Sequence, residues 1–85
     1  MIHPMSKDLK DFGPTLRTKR EERGLSLAEA SRLSGVSKPN IWVLEEGSND
    51  NPKVGTIVAL ADLYRVSPVS LFRALIRRKA KEESK

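Results

Sequence analysis

Few side chains in this sequence can do covalent or acid–base chemistry, and they are scattered. The single histidine is His3, and there is no cysteine. That excludes a disulfide framework, a thiolate zinc site and a cysteine nucleophile. No carboxylate pair, phosphate-cradling glycine loop or nucleophile–base set stands at a working spacing. An enzyme is therefore not expected, and neither is a metal or cofactor. What remains is charge and hydrogen bonding. Lys and Arg number 16 against 11 Asp and Glu, a net charge of +5. Such a balance suits an anionic partner, nucleic acid or a charged surface, without choosing between them.

The basic surplus sits at the ends. Residues 1–26 carry six basic and four acidic groups, residues 27–72 four and five, and residues 73–85 six and two. The elements that must position these groups belong to one small domain, since the chain has 85 residues. Its longest apolar run, Ile57 to Ala61, falls far short of the ~20 residues of a membrane span. Residues 1–10 lack the apolar centre of a secretory signal. A cytoplasmic protein without membrane contact is expected. A core this small, with no disulfide or metal, favours a partner chain.

Capping residues and glycines divide the chain into five short helices. Asp11 and Pro14 suit the start of the first, which runs to about Arg23 and stops at Gly24 with apolar Leu25 behind it. Ser26-Leu27-Ala28-Glu29 is a capping box opening the second, which ends near Ser34. Gly35 supplies the turn. Ser37 caps the third, with Pro39 in its first turn, and Gly47 ends it. Ser48 to Pro52 is a loop. Val54, Ile57, Leu60, Ala61 and Tyr64 recur at helical spacing, and Ser67-Pro68 opens the fifth helix. No stretch alternates with period two. The expected fold is all-α, a compact five-helix bundle. Its candidate core is Leu16, Leu25, Leu27, Ala30, Leu33, Val36, Ile41, Leu44, Val54, Ile57, Leu60, Ala61, Leu63, Val66, Leu71 and Phe72. The expected organisation is a flexible arm over 1–10, a folded domain over 11–76 and a basic tail over 77–85.

Only Gly35-Val36-Ser37 joins the second and third helices. A glycine-containing turn this short forces two short helices to cross steeply, the geometry of a helix-turn-helix over about 27–46. Leu16-Arg17, Arg20, Gly24-Leu25-Ser26, Glu29, Gly35-Val36-Ser37, Ile41, Leu44-Glu45, Gly47, Pro52, Leu60-Ala61 and Val66-Ser67 extend the pattern across two thirds of the chain. On these residues, the stretch from Leu16 to Phe72 resembles the Cro/lambda-repressor type of helix-turn-helix domain, also called XRE-like.

The resemblance implies a DNA-binding transcriptional regulator, a repressor acting as a homodimer on an inverted-repeat operator. It implies that the start of the third helix reads base edges. Lys38, Pro39, Asn40 and Val43 are the base-contacting candidates. Asn40 can bond adenine in bidentate fashion, Lys38 can reach guanine acceptors, and Val43 can pack on a thymine methyl. Ser26, Ser37, Asn49, Asn51 and Lys53, with Arg17 and Lys19 on the first helix, are candidates for the DNA backbone. Arg20 and Glu45 occupy positions that form an internal ion pair in relatives.

Three features depart from the family pattern. Leu27 replaces a common phosphate-contacting glutamine. Trp42 stands where a small polar residue is usual; packing against the fourth helix or the neighbouring turn is expected of it, the alternative being a contact with the sugar-phosphate rim or a partner chain. Glu45 and Glu46 make the end of the reading helix acidic. In the fifth helix, Val69, Leu71, Phe72, Leu75 and Ile76 form a wide apolar face expected to seat a second copy. The alternative function is an antitoxin-type module that binds a protein partner through its tail and also its own promoter.

Overall fold

The computed structural model describes residues 12–49 and 51–83. The expected arm, the Asp11 cap and Asp50 lie outside the described residues. Five α-helices follow one another: α1 Phe12–Glu22, α2 Leu27–Ser34, α3 Lys38–Glu46, α4 Val54–Tyr64 and α5 Pro68–Glu83. Among the described residues there is no strand, and the all-α expectation holds. No helix there is long and apolar enough to cross a membrane.

Local chemistry sets the helix ends. Ser26 Oγ accepts from the Glu29 amide at 3.1 Å while Glu29 Oε1 accepts from the Ser26 amide at 2.9 Å, closing the capping box of α2. Ser37 Oγ accepts from the Asn40 amide at 3.3 Å at the start of α3. Ser67 Oγ accepts from the Val69 amide at 3.2 Å at the start of α5. α1 ends one residue before the expected Arg23. The Gly24 amide donates to the Glu21 carbonyl and the Leu25 amide to the Arg20 carbonyl. This paired closure needs a left-handed residue, and Gly24 supplies it at φ 69°.

The same closure ends α4, but there Arg65 takes the left-handed position at φ 58°, the one non-glycine with positive φ among the described residues. Its amide donates to the Asp62 carbonyl and that of Val66 to the Ala61 carbonyl.

The core forms where the helices converge. Leu16 and Phe12 of α1, Ile41 and Leu44 of α3, and Ile57 and Leu60 of α4 are its largest fully buried side chains. Ala30, Val36, Ala61, Tyr64, Leu71, Ala74 and Leu75 complete it, with Leu25, Leu27, Leu63, Val66 and Phe72 partly buried against it.

Two expected core residues are exposed. Val54 is the first residue of α4, and Leu33 lies near the end of the eight-residue α2, whose only buried residue is Ala30. Both have helical spacing, yet Leu33 stays 51% and Val54 64% exposed.

α1 lies close against α3 at Gly13. A Cβ on Gly13 would stand 2.6 Å from the Glu45 carbonyl oxygen and 2.9 Å from that of Leu44. Glycine is therefore what lets the start of α1 lie against the end of α3. The backbone of α5 continues as helix through Glu83, so the segment expected to be a tail begins as part of that helix.

Candidate nucleic-acid interface

The helix-turn-helix consists of α2, the turn Gly35-Val36-Ser37 and α3. Gly35 adopts φ 81°, and its amide donates to the Ser31 carbonyl at 2.9 Å, stopping α2. Val36 turns inward and is buried, its amide held by Ser34 Oγ at 3.0 Å. Ser37 then caps α3. The inward faces of Ile41, Leu44 and Glu45 fix the rotation of α3 about its axis.

That rotation leaves Ser37, Lys38 and Pro39 exposed and Asn40 and Val43 half-buried. Ser37, Asn40 and Lys53 line one open groove, together with Ser34 at the end of α2 and Gly55 and Thr56 at the start of α4. Sequence reasoning singled out the first three separately, and the fold brings them together. It missed Thr56, for which the sequence carries no signal. Lys53 is exposed and precedes α4, which has no side-chain cap and no acidic residue in its first turn. Trp42 is 48% exposed, so it projects from α3 and is not packed away as expected.

The other end of α3 is an ion-pair cluster. The Glu45 side chain is 1% exposed and accepts from Arg20 Nε at 2.8 Å and Arg20 Nη2 at 3.0 Å. Arg20 Nη1 also donates to the Leu25 carbonyl at 2.9 Å, so one guanidinium ties α1, α3 and the turn before α2 together. The expected structural pair is therefore present. Its hydrogen bonds to Glu45 hold the Arg20 pKa above the ordinary value, against the opposing effect of burial.

Arg17 also belongs to this cluster. It donates through Nε to Glu45 Oε1 at 3.3 Å and through Nη2 to Glu46 Oε2. Its pKa is raised, first by Glu46 and then by Glu45. Arg17 was expected on the DNA backbone, but the structure places its guanidinium on two carboxylates of α3. Beside the cluster, burial and then the Glu45 charge push the Tyr64 hydroxyl up to about 12. The Tyr64 hydroxyl and Thr15 Oγ1 are buried without a hydrogen-bond partner.

The remaining backbone candidates are spread over the surface. Lys19 reaches Glu22 at 3.6 Å along α1. Ser26 is exposed, with its hydroxyl in the capping box. Asn49 Oδ1 accepts from the Asn51 amide at 2.9 Å, which shapes the loop after α3. On α5, Leu71 and Leu75 are buried in the chain's own core and Phe72 packs against it. Only Val69, 56% exposed, and Ile76, 62% exposed, remain outward from the expected dimer face. Those two lie two helical turns apart. Among the described residues no group of His, Cys, Asp and Glu could hold a metal ion.

Comparison with known proteins agrees with this geometry. Residues 11–75 match the helix-turn-helix domain family. Over 58 residues the chain is 38% identical to the HTH-type transcriptional repressor RghR of Bacillus subtilis (strain 168), a match covering 68% of this chain and 43% of that protein. The chain thus spans less than half the length of that relative. No solved structure matches it.

Proposed function

The chain belongs to the helix-turn-helix domain family, and from that membership we propose that it is a sequence-specific, double-stranded-DNA-binding transcriptional regulator. It acts as a repressor, a homodimer on an inverted-repeat operator in the cytoplasm. α3 enters the major groove. Lys38, Pro39, Asn40 and Val43 meet base edges, and Lys19, Ser26, Ser37, Asn49, Asn51 and Lys53 meet the backbone. The likeness to a transcriptional repressor supports the direction of regulation.

The observation that carries this reading is the division of α3. Its start leaves Lys38 and Pro39 exposed and Asn40 half-buried, while its last turn is clamped by buried Glu45 to Arg20. A reading helix needs free side chains at one end and a fixed orientation at the other. Val69 and Ile76 supply the outward apolar contacts for the second copy. The antitoxin-type reading calls for a tail that folds only on its partner, and the helical backbone of α5 through Glu83 gives it no support.

Selection of bound duplexes from a random DNA pool, repeated with Asn40→Ala, tests the proposal. The expected result is one inverted repeat with half-sites about one helical turn apart, with preference relaxed at one position by the substitution. Binding with salt sensitivity but no enrichment would reduce the protein to a non-specific basic domain.

A further inference from the structure

The last turn of α3 carries a charge problem. Glu45 and Glu46 are adjacent, and no basic residue lies in that turn. The C-terminal end of a helix already bears partial negative charge. Glu45 is buried and held by Arg20. Glu46 is exposed and follows Val43 by three residues and Pro39 by seven, on the face that holds the proposed base contacts. With α3 in a major groove, an uncompensated carboxylate there would face DNA phosphates.

Arg17 stands where it can cancel that charge. Its Nη2 donates to Glu46 Oε2 and its Nε to Glu45 Oε1. The contact lies near the surface, with side chains 42% and 38% exposed for Arg17 and Glu46. We infer that Arg17 is a positioning residue for DNA binding, a counter-ion that neutralises Glu46 on the reading face of α3 rather than a ligand of phosphate. The inference rests on the assignment of α3 as the DNA-contacting helix. Arg17 orients the Glu46 carboxylate toward α1 and removes a repulsive charge from the approach to DNA. The acidic end of α3 is thereby made compatible with a polyanion.

A double-mutant cycle tests this on the full chain, with R17Q, E46Q, the double variant and R17K. Binding to the duplex recovered by selection is measured by fluorescence anisotropy across a salt series, and circular dichroism shows that each form is folded at the assay temperature. Like charges brought together at an interface are costly, so R17Q is expected to weaken binding by about tenfold. E46Q binds as tightly as the wild type or more so, the double variant returns to within about twofold of it, and R17K stays close to it.

A direct phosphate contact would give the opposite pattern. R17Q and the double variant would be equally weak, and the slope of log affinity on log salt would fall by about one in both. An R17Q chain unfolded at the assay temperature would also overturn the inference, because Arg17 would then serve the fold. If the wild type binds its duplex and E46Q gives no rescue, only this inference fails. If the wild type shows no sequence-dependent binding, the assignment of α3 fails and the inference fails with it.

Discussion

The guanidinium of Arg20 and the carboxylate of Glu45 meet through two hydrogen bonds, at 2.8 Å and 3.0 Å, across 25 residues of chain. The carboxylate is almost wholly removed from water. Removing one partner of such a pair leaves the other charge uncompensated, at a cost of about 3–5 kcal/mol. Glu45→Ala strands Arg20 and half-releases Arg17. Urea unfolding is expected to show a loss in that range. Glu46→Ala breaks only a surface contact and is expected to cost less than about 1 kcal/mol. An unchanged melting point for Glu45→Ala would show that the cluster does not hold α1 to α3.

Gly13 and Gly55 predict opposite responses to the same substitution. Alanine at 13 drives a methyl group into the carbonyls of Leu44 and Glu45, which are backbone and cannot swing away. A destabilisation of about 1–3 kcal/mol is expected from such overpacking. Nothing lies within 4 Å of a Cβ at 55. Gly55→Ala is expected to add about 0.4–1 kcal/mol by restricting the unfolded chain. Paired thermal melts of the two variants read the difference directly.

Tyr64 predicts a basic limit to stability. Its hydroxyl ionises near 10 in the unfolded chain and at about 12 in the fold. A group whose pKa is raised by folding contributes fully below the unfolded pKa, and that contribution is lost as pH rises through the folded one. The window is therefore pH 10 to 12, and the loss is up to about 3 kcal/mol. Tyr64→Phe should remove this part of the alkaline dependence. Because the hydroxyl has no partner, the substitution is expected to be neutral or mildly stabilising at pH 7. Urea midpoints for both proteins between pH 7 and 12 test the two statements together.

Arg65 marks a place where glycine would be easier. A left-handed conformation costs a side chain about 1–2 kcal/mol relative to glycine. Arg65→Gly is expected to raise stability by about 1 kcal/mol at most, since glycine also loosens the unfolded chain. The converse, Gly35→Ala, is expected to destabilise by about 1–2 kcal/mol, with the turn between α2 and α3 as the site of strain. Chemical denaturation of both variants gives the comparison.

The α5 surface separates assembly from folding. Val69→Lys and Ile76→Lys alter outward side chains, so each is expected to leave the melting transition nearly unchanged while weakening self-association in sedimentation. Leu71→Lys places a charge in the core and is expected to unfold the chain. If Val69→Lys and Ile76→Lys leave a dimer intact, the seam lies elsewhere.

Much of this fold was legible because much of it is local. Ser26 with Glu29, Ser37 with Asn40, and the glycines at 24, 35 and 47 act within a few residues of themselves, and the sequence displays those spacings. Arg20 with Glu45 is not local, and the family resemblance supplied it. Arg17 with Glu46 lies 29 residues apart, and nothing in either neighbourhood marks it. Leu33 and Val54 have the spacing of core residues yet stay exposed, because burial depends on what lies opposite and not on the helix alone. Phe12 and Tyr64, outside the expected core, are buried at the start of α1 and the end of α4. The sequence assigns Leu71 to both the core and the dimer face and Leu75 to the dimer face alone, and the packing of α5 buries both.

On α3, buried Ile41, Leu44 and Glu45 share a helix with exposed Lys38, Pro39 and Trp42. Anchoring and solvent exposure therefore draw on different positions of one short element. Substitutions at the exposed positions can therefore change what α3 presents to solvent without disturbing the packing that holds the helix.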